Sequence, residues 1–303
     1  MRDALLDAAG RRVVVGDGAM GTQLIDAGLA VGASADEWNL THPDRVRAIQ
    51  TAYVDAGAEI LLTNTFGANP LALGRHGLSD QAYAINLAAA RMARDCAGPA
   101  AYVLGDIGPF GGFLEPLGNT TPRALEDAIV VQATGLLDGG ADGIIVETMT
   151  SLEELAVVCR AVRRCRPHTT LVGSVAFDRV ADGGFRTMTG ATVEDTVECM
   201  AAAEIDVAGC NCGTGIHVGD YVQLVAEFRR LTDRPIMVQP NAGQPRLDRG
   251  RITYDETAET MAAAVPALID AGASIVGGCC GTTPEHIRLF RRQVDRLTPR
   301  AAR

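Results

Sequence analysis

Two adjacent cysteines near the end of the chain are the residues whose chemistry stands out. Cys279 and Cys280 lie in the stretch IVGGCCGTTPEHI, with two glycines before them and one after. Neighbouring side chains on a strand point to opposite faces, so one ion can contact both thiols only if the chain bends at this point. Glycine permits such a bend. The pair could supply two ligands of a zinc site, or it could pack as two small apolar side chains.

The stretch GCNCG offers a third thiol. Its Cys210 and Cys212 come at the end of another apolar run, and either could complete a three-thiol set with Cys279 and Cys280. Three protein ligands leave one tetrahedral position open, which is typical of a catalytic zinc site, and sulfur ligands favour Zn²⁺ over Mg²⁺ and Ca²⁺. A metal held by three thiolates is electron-rich, so it is better suited to bind a substrate thiolate than to activate water.

A glycine-rich turn near the beginning of the chain has two interpretations. GDGAMG at 16–21 satisfies the G-x-G-x-x-G pattern of dinucleotide-binding proteins, and Asp36 and Glu37 stand close to the position of a ribose-binding acid. A dinucleotide-binding sheet does not explain a chain built from eight similar units. We therefore expect these glycines, including Gly18, to let the backbone approach a small ligand.

The elements that must position these residues repeat along the chain. Apolar runs rich in β-branched residues alternate with segments of helical periodicity. Eight such runs occur, at 12–18, 59–66, 101–108, 143–149, 170–177, 207–213, 235–243 and 274–281. Eight β/α units predict an α/β protein, a (β/α)8 TIM barrel that forms a single domain over 1–303. The cysteines then lie at the C-terminal ends of strands, on a face that the longer segments 110–122, 178–190 and 241–256 are expected to cover.

Composition limits the partners and the compartment. A formal net charge of −10, an isoelectric point near 5.0 and the lack of a basic block argue against nucleic acid as a partner. The first residues lack the apolar core of a signal peptide, and no apolar run is long enough to span a membrane. We expect a cytoplasmic protein without a membrane partner, in which the eight cysteines stay reduced.

Seven motifs, taken in order, resemble those of the homocysteine S-methyltransferase family. They are GDGAMGTQL (16–24), NTFGAN (64–69), GDIGPFGGFLEPLG (105–118), VET (146–148), NCG (211–213), PNAGQP (240–245) and GGCCGTTPEHI (277–287). The motifs span nearly the whole chain. Within the family they are most similar to the homocysteine-binding domain of cobalamin-dependent methionine synthase.

This resemblance implies which thiols bind zinc. It identifies Cys212, which follows an asparagine in the family's N-C pattern, as one zinc ligand, and Cys279 and Cys280 as the other two. Cys210 does not match a ligand of the family, so we expect it to be a packing residue.

The resemblance also implies the substrate contacts. It places the ammonium group of homocysteine between Asp17 and Glu147, which follow the first and fourth predicted strands, with Gly18 beside them. Acids at the C-terminal ends of barrel strands are typical of a binding site. Asn241 resembles the residue that, in the methionine synthase branch, occupies the open zinc position before substrate arrives; alternatively, it supports the turn of its loop.

The activity implied is methylation of homocysteine to methionine, with homocysteine bound as a zinc thiolate. The methyl donor expected from the methionine synthase branch is methylcobalamin, carried by a separate corrinoid protein because this chain has no room for a cobalamin domain. Two alternatives stay open. The donor could be a free small molecule, such as S-methylmethionine, another sulfonium or betaine, or the protein could be a non-catalytic zinc-thiolate redox or regulatory protein.

Overall fold

Eight parallel strands form a ring in the computed structural model, which describes residues 4–181, 183–248 and 251–297. The strands are β1 (Val14–Val15), β2 (Ile60–Leu62), β3 (Tyr102–Ile107), β4 (Gly143–Met149), β5 (Thr170–Val175), β6 (Val207–Asn211), β7 (Ile236–Gln239) and β8 (Ile275–Val276). Hydrogen-bonded neighbours follow the order β1-β8-β7-β6-β5-β4-β3-β2. The ends of this order lie side by side, because Glu59 N donates to Val15 O over 2.7 Å. The predicted (β/α)8 TIM barrel is confirmed, and each of the eight predicted runs contains one barrel strand.

Helices surround the ring. Within the described residues they are α1 (Leu5–Ala9), α2 (Gly21–Asp26), α3 (Trp38–Thr41), α4 (Pro43–Asp55), α5 (Pro70–Leu73), α6 (Ala82–Ala97), α7 (Pro122–Asp138), α8 (Leu152–Cys165), α9 (Val193–Ala202), α10 (Val218–Leu231), α11 (Ala258–Asp270) and α12 (Pro284–Leu297). Two 3₁₀ helices cover Gly74–His76 and Ser79–Gln81. Helices α4 and α6 to α12 follow β1 to β8 in turn, which is the repeat of a barrel. None of these helices is both long and apolar enough to cross a membrane.

Hydroxyl side chains fix where several outer helices begin. The residue before each of α7, α8, α9 and α11 accepts a hydrogen bond from the backbone N–H three residues later, and these residues are Thr121, Ser151, Thr192 and Thr257. Such a cap satisfies a backbone donor that has no partner inside the helix and is worth about 0.5–2 kcal/mol. Each of the four loops that lead into these helices therefore has a defined end.

The core has two layers that follow from the period of two along each strand. Inward-facing side chains fill the barrel interior: Val14, Ile60, Tyr102, Leu104, Ile145, Val172, Val207, Met237 and Ile275. Alternate side chains, such as Val103 and Ile144, pack outward against the helices. Continuing the inward faces of β3 to β7 toward their C-terminal ends brings polar residues to the top of the interior: Asp106, Glu147, Ser174, Asn211 and Gln239. These five side chains, which we call the polar floor, form a polar layer above the apolar core of the barrel.

Two antiparallel hairpins project from the same face. One pairs Asp178–Arg179 with Phe185–Arg186 after β5, and the other pairs Pro245–Asp248 with Arg251–Tyr254 after β7. Both lie in segments that the sequence predicted to cover this face. Residues 182, 249 and 250 of these segments, and the ends 1–3 and 298–303 of the predicted domain, lie outside the described residues, so the domain bounds 1–303 stay a prediction.

Candidate active site

A cavity of about 330 Å³ opens at the C-terminal ends of the strands. Its volume lies within the range of small-molecule sites, roughly 300–1,000 Å³. It is lined by parts of all the predicted site motifs except PNAGQP, including Asp17, Gly18, Asn64, Asp106, Glu147, Cys212, Cys279 and Cys280. The barrel therefore brings residues that are far apart in sequence together around one cavity.

The three predicted zinc ligands are neighbours in space. The Sγ atoms of Cys212, Cys279 and Cys280 all lie within 4.8 Å of one another, and those of Cys212 and Cys280 are 3.7 Å apart. Cys210, in contrast, is fully buried in the layer between strands and helices, as expected for a packing residue. All eight cysteines are free.

Backbone turns bring the thiols together. Strand β8 ends at Val276, and Gly281 adopts a φ of 81°, so the chain bends across the cysteine pair as the flanking glycines predicted. A Cβ atom on Gly278 would lie 2.4 Å from Thr282 Oγ1, which leaves no space for a side chain there. Cys212 itself has a φ of 51°, a left-handed conformation that is uncommon outside glycine. This strained turn aims its thiol at the other two.

The loop after β7 lies between the two cysteine loops and bonds to both. Cys279 N donates to Pro240 O over 2.8 Å, and Ala242 N donates to the carbonyl oxygen of Cys280 over 2.9 Å. On the other side, Asn241 Nδ2 donates to Gly213 O over 3.1 Å. Asn241 Oδ1 is buried and has no hydrogen-bond partner among the described residues. Asn241 thus supports its loop and also holds a free acceptor next to the cysteine loops.

The thiols influence one another's protonation. Hydrogen bonds from Cys212 and Cys279 lower the pKa of Cys280 below its ordinary value. Hydrogen bonding to Cys212 and Cys280, together with burial, raises the pKa of Cys279 well above its ordinary value. Of these two thiols, Cys280 therefore ionises more readily than Cys279. A metal ion offers the positive charge needed to ionise the remaining thiols.

The two predicted ammonium ligands are buried acids at the cavity. Burial raises the pKa of Asp17 to about 7, although Leu62 N donates to its Oδ2 over 2.8 Å. Burial also raises the pKa of Glu147 to about 8, with further contributions from the charges of Asp17 and Cys280. Asp17 Oδ1 is buried without a partner in the described chain. Within the described residues, both acids therefore lack a cationic partner, which a ligand could supply.

Gly18 follows Asp17 directly in the sequence and lines the same cavity. A Cβ atom at this position would lie 2.6 Å from Thr282 Oγ1 and 2.9 Å from the hydroxyl of Tyr53. Only glycine fits between these side chains, and its backbone lines the cavity.

Two further acids line the cavity that we did not predict to contact the substrate. Asp36 accepts a bond from Gly67 N over 3.1 Å, and burial raises its pKa to about 6. Asp106 points inward from β3, and burial and the charge of Glu147 raise its pKa well above the ordinary value. The period of two along β3, which puts Asp106 on the same face as Leu104, was the sequence signal for it. No lysine, arginine or histidine is found among the described residues that line the cavity, so its electrostatics favour a ligand that brings a positive charge.

The hairpin after β7 covers one side of the thiol cluster. The ring of Tyr254 packs on Gly281, where a Cβ atom would come 2.3 Å from the ring. At its start, Gln244 Nε2 donates to Ile216 O over 2.8 Å, while its Oε1 accepts from Gly215 N over 3.1 Å. These contacts hold the hairpin against both cysteine loops.

Comparison with known proteins agrees with this geometry. A family model described as homocysteine S-methyltransferase matches residues 14–294. The methionine synthases of Mycobacterium leprae (strain TN) and Mycobacterium tuberculosis (strain ATCC 25618 / H37Rv) are each 35% identical, over 96% and 94% of this chain. The match covers 25% of either relative, so the chain spans about a quarter of their length.

Solved structures show the same architecture. The metallated form of the homocysteine methyltransferase MmuM from Escherichia coli superposes with a TM-score of 0.77 at 24% identity, covering 93% of this chain and 96% of that one. Its oxidized form gives a TM-score of 0.78 at 25% identity, covering 96% and 98%. Because the family model extends over nearly all of the sequence, the chain belongs to the homocysteine S-methyltransferase family.

Proposed function

We propose that this protein methylates homocysteine to methionine and holds the homocysteine sulfur on a zinc ion bound by Cys212, Cys279 and Cys280. The observation that carries the proposal is the cluster of three Sγ atoms within 4.8 Å at a cavity that also carries buried acids without a cation. Membership of the family, and the existence of a metallated form of the MmuM enzyme, support it.

The thiol cluster fits a tetrahedral zinc ion. Zinc binds cysteine sulfur at about 2.3 Å, so two sulfurs in a tetrahedral site are about 3.8 Å apart. The Sγ atoms of Cys212 and Cys280 are 3.7 Å apart. A set of three sulfurs leaves one position for a substrate thiol. When bound there, zinc lowers the pKa of that thiol and presents it as a thiolate.

The acids orient the other end of the substrate. In the proposal, Asp17 and Glu147 receive the ammonium group of homocysteine, and the backbone of Gly18 allows close approach of the amino-acid end. Hydrogen bonds to charged groups are typically worth about 1.5–3 kcal/mol each. We also propose that Asn241 Oδ1, which is buried and has no partner in the described residues, occupies the open zinc position before homocysteine arrives. These side chains fix the sulfur in position for in-line attack on a methyl group.

For the donor, we propose methylcobalamin carried by a corrinoid protein. Six exposed apolar side chains lie in the loops that follow β2, β3, β5 and β7, and we call them the apolar rim: Phe66, Phe113, Leu117, Met188, Leu247 and Ile252. Each is between 43% and 81% exposed. Exposed apolar groups on one face are typical of a protein interaction site, whereas a small sulfonium or betaine needs no such surface. The similarity to methionine synthases supports the same donor.

A non-catalytic redox or regulatory role would use the thiols but would leave the buried acids without a function. The acids therefore favour an enzyme. We also propose a cytoplasmic location, because eight free cysteines are typical of a reducing compartment.

A donor assay tests the function. Zinc-loaded protein and homocysteine are supplied in parallel with methylcobalamin, free or on a corrinoid protein, with S-methylmethionine and with betaine. We expect methionine from the corrinoid protein. Methionine from a small onium donor, with no turnover of either cobalamin form, would refute the corrinoid donor and leave the zinc thiolate standing. No methionine from any donor would contradict the methyltransferase proposal.

A further inference from the structure

Asn211 lies between Glu147, a proposed substrate ligand, and Cys279, a proposed metal ligand. It is the last residue of β6, it precedes Cys212, and its side chain is fully buried in the polar floor of the barrel. Its inward position follows from the period of two that begins with Val207. The sequence identified it only as part of the N-C pattern, without a role for its amide.

The hydrogen bonds of Asn211 fix the orientation of its amide. Oδ1 accepts from the backbone N–H of Thr148 over 3.0 Å and from the hydroxyl of Ser174 over 2.8 Å. A backbone N–H can only donate, so the oxygen of the amide must face Thr148 N and the nitrogen must face the other way. Thr148 has a φ of 58°, so the amide also holds a left-handed turn at the end of β4.

The amide nitrogen then faces both the carboxylate of Glu147 and the sulfur of Cys279. Nδ2 donates to Thr148 Oγ1 over 2.8 Å, to Glu147 Oε2 over 3.4 Å and to Cys279 Sγ over 3.8 Å. An amide has two N–H hydrogens for these three acceptors. The short bond to Thr148 takes one of them, so Glu147 and Cys279 share the other.

We propose that Asn211 is a positioning residue that couples the substrate-binding carboxylate of Glu147 to the metal-binding sulfur of Cys279. The inference rests on the proposed function, because it assumes that these two groups hold the ammonium and the metal ion. The bond to Oε2 sets the rotation of the Glu147 carboxylate toward the substrate. The bond to sulfur lowers the energy of the lone pairs on Cys279, as hydrogen bonds to metal-bound ligands do.

Replacement of Asn211 by aspartate removes the bonds made by the amide nitrogen and keeps those made by the amide oxygen. In Asn211→Asp the oxygen facing Thr148 N and Ser174 stays, whereas the N–H donor to Thr148 Oγ1, Glu147 and Cys279 is replaced by an acceptor oxygen. We expect the KM for homocysteine to rise about ten- to hundredfold, the range that loss of a hydrogen bond to a charged group produces. In protein loaded with Co²⁺, the sulfur-to-cobalt charge-transfer absorption is expected to move to longer wavelength, since the sulfur lone pairs rise in energy.

A double-variant cycle shows whether Asn211 acts through Glu147. In the Glu147→Gln background, adding Asn211→Asp is expected to change the KM by less than about threefold, because the carboxylate it positions is gone. Ser174→Ala is the matched comparison: it removes one of the two bonds to the amide oxygen but no N–H donor, and Thr148 N still holds the oxygen, so the KM and the cobalt spectrum are expected to change less than in Asn211→Asp. Asn211→Ser, which removes the whole amide without adding an acid, is expected to shift both readouts in the same direction and serves if the aspartate variant does not fold.

The outcomes separate this inference from the proposed function. Wild-type protein that takes up neither Zn²⁺ nor Co²⁺, or does not bind homocysteine by calorimetry, overturns the proposed function and the inference with it. If wild type is competent, an unchanged cobalt spectrum in both Asn211 variants overturns the inference alone. The same holds if the KM rises by equal factors in the wild-type and Glu147→Gln backgrounds.

Discussion

Substitution of Asp17 by asparagine is expected to stabilise the fold while it weakens substrate binding. Asp17 is 2% exposed, and burial raises its pKa from 3.8 to about 7. The folded state therefore binds this proton more tightly than the unfolded state. The stabilisation that the neutral carboxyl provides is fully present below pH 3.8 and is lost as the pH rises through about 7. Above that pH, the folded protein carries a buried charge that has no cationic partner in the described part of the chain.

The magnitude follows from the shift. The difference between about 7 and 3.8 is about three pH units, and at 1.36 kcal/mol per unit it amounts to about 4 kcal/mol of destabilisation at about pH 8. Asparagine carries no charge and keeps an oxygen for Leu62 N. We expect Asp17→Asn to raise the free energy of unfolding by about 2–4 kcal/mol at about pH 8, a gain that shrinks by about 2–3 kcal/mol at about pH 5. Homocysteine binding is expected to weaken about tenfold or more, because the ammonium loses a charged partner.

Urea denaturation of metal-free, reduced protein at the two pH values measures the effect. Asp233→Asn, which removes an exposed carboxylate, is the matched control and should change the free energy of unfolding little at either pH. A variant no more stable than wild type at about pH 8 would refute the reasoning, and so would a gain of equal size at both pH values. Such a result would mean that the buried carboxyl has a partner or stays neutral.

Three further predictions concern the other parts of the site. Cys212→Ser should reduce bound zinc well below one ion per chain, as measured by metal analysis. Cys210→Ser should keep its zinc and lose only about 1–3 kcal/mol of stability. If only Cys210→Ser lost zinc, the third zinc ligand would be Cys210 and not Cys212. Glu147→Gln should retain zinc and raise the KM for homocysteine by about ten- to hundredfold in steady-state kinetics, and an unchanged KM contradicts the ammonium pocket. Leu117→Asp in the apolar rim should slow methyl transfer from a corrinoid protein but not from free methylcobalamin, while Val131→Asp on α7 should affect neither; equal effects on both donors would exclude the rim as the docking surface.

The barrel and the place of the thiols were predictable because they depend on local patterns. A period of two marks the inward face of each strand, and a strand that ends in glycine or a polar residue marks the face where loops gather. Cys279 and Cys280 therefore had to lie on the same face as Cys212. Their flanking glycines predicted the bend, which Gly281 supplies through its left-handed backbone.

Other parts of the site depend on contacts between distant segments. The left-handed turns at Thr148 and Cys212 occur at residues that rarely adopt them, so no sequence pattern marked them. Asp36 reaches the cavity because its loop is bonded to Gly67, 31 residues later. The position of Asp106 was predictable by the same reasoning as that of the thiols, since it lies two residues after Leu104 on an inward face. Its burial was not expected, because buried acids are ordinarily paired with a partner.

Backbone hydrogen bonds join the loop that carries the cysteine pair to the loop that carries Asp17. Gly278 N donates to the carbonyl oxygen of Asp17 over 2.9 Å, so the loop that carries the cysteine pair is tied directly to the loop that carries an ammonium ligand. Because these bonds hold the sulfurs and the acids at a fixed separation, a substrate must match that separation to reach both. Homocysteine has one methylene more than cysteine between its ammonium and its sulfur. Under the proposed function, a shorter amino thiol cannot reach both groups, so it loses either the charge-assisted contact or the contact with the metal. The fixed separation between the sulfurs and the acids then selects substrates by chain length.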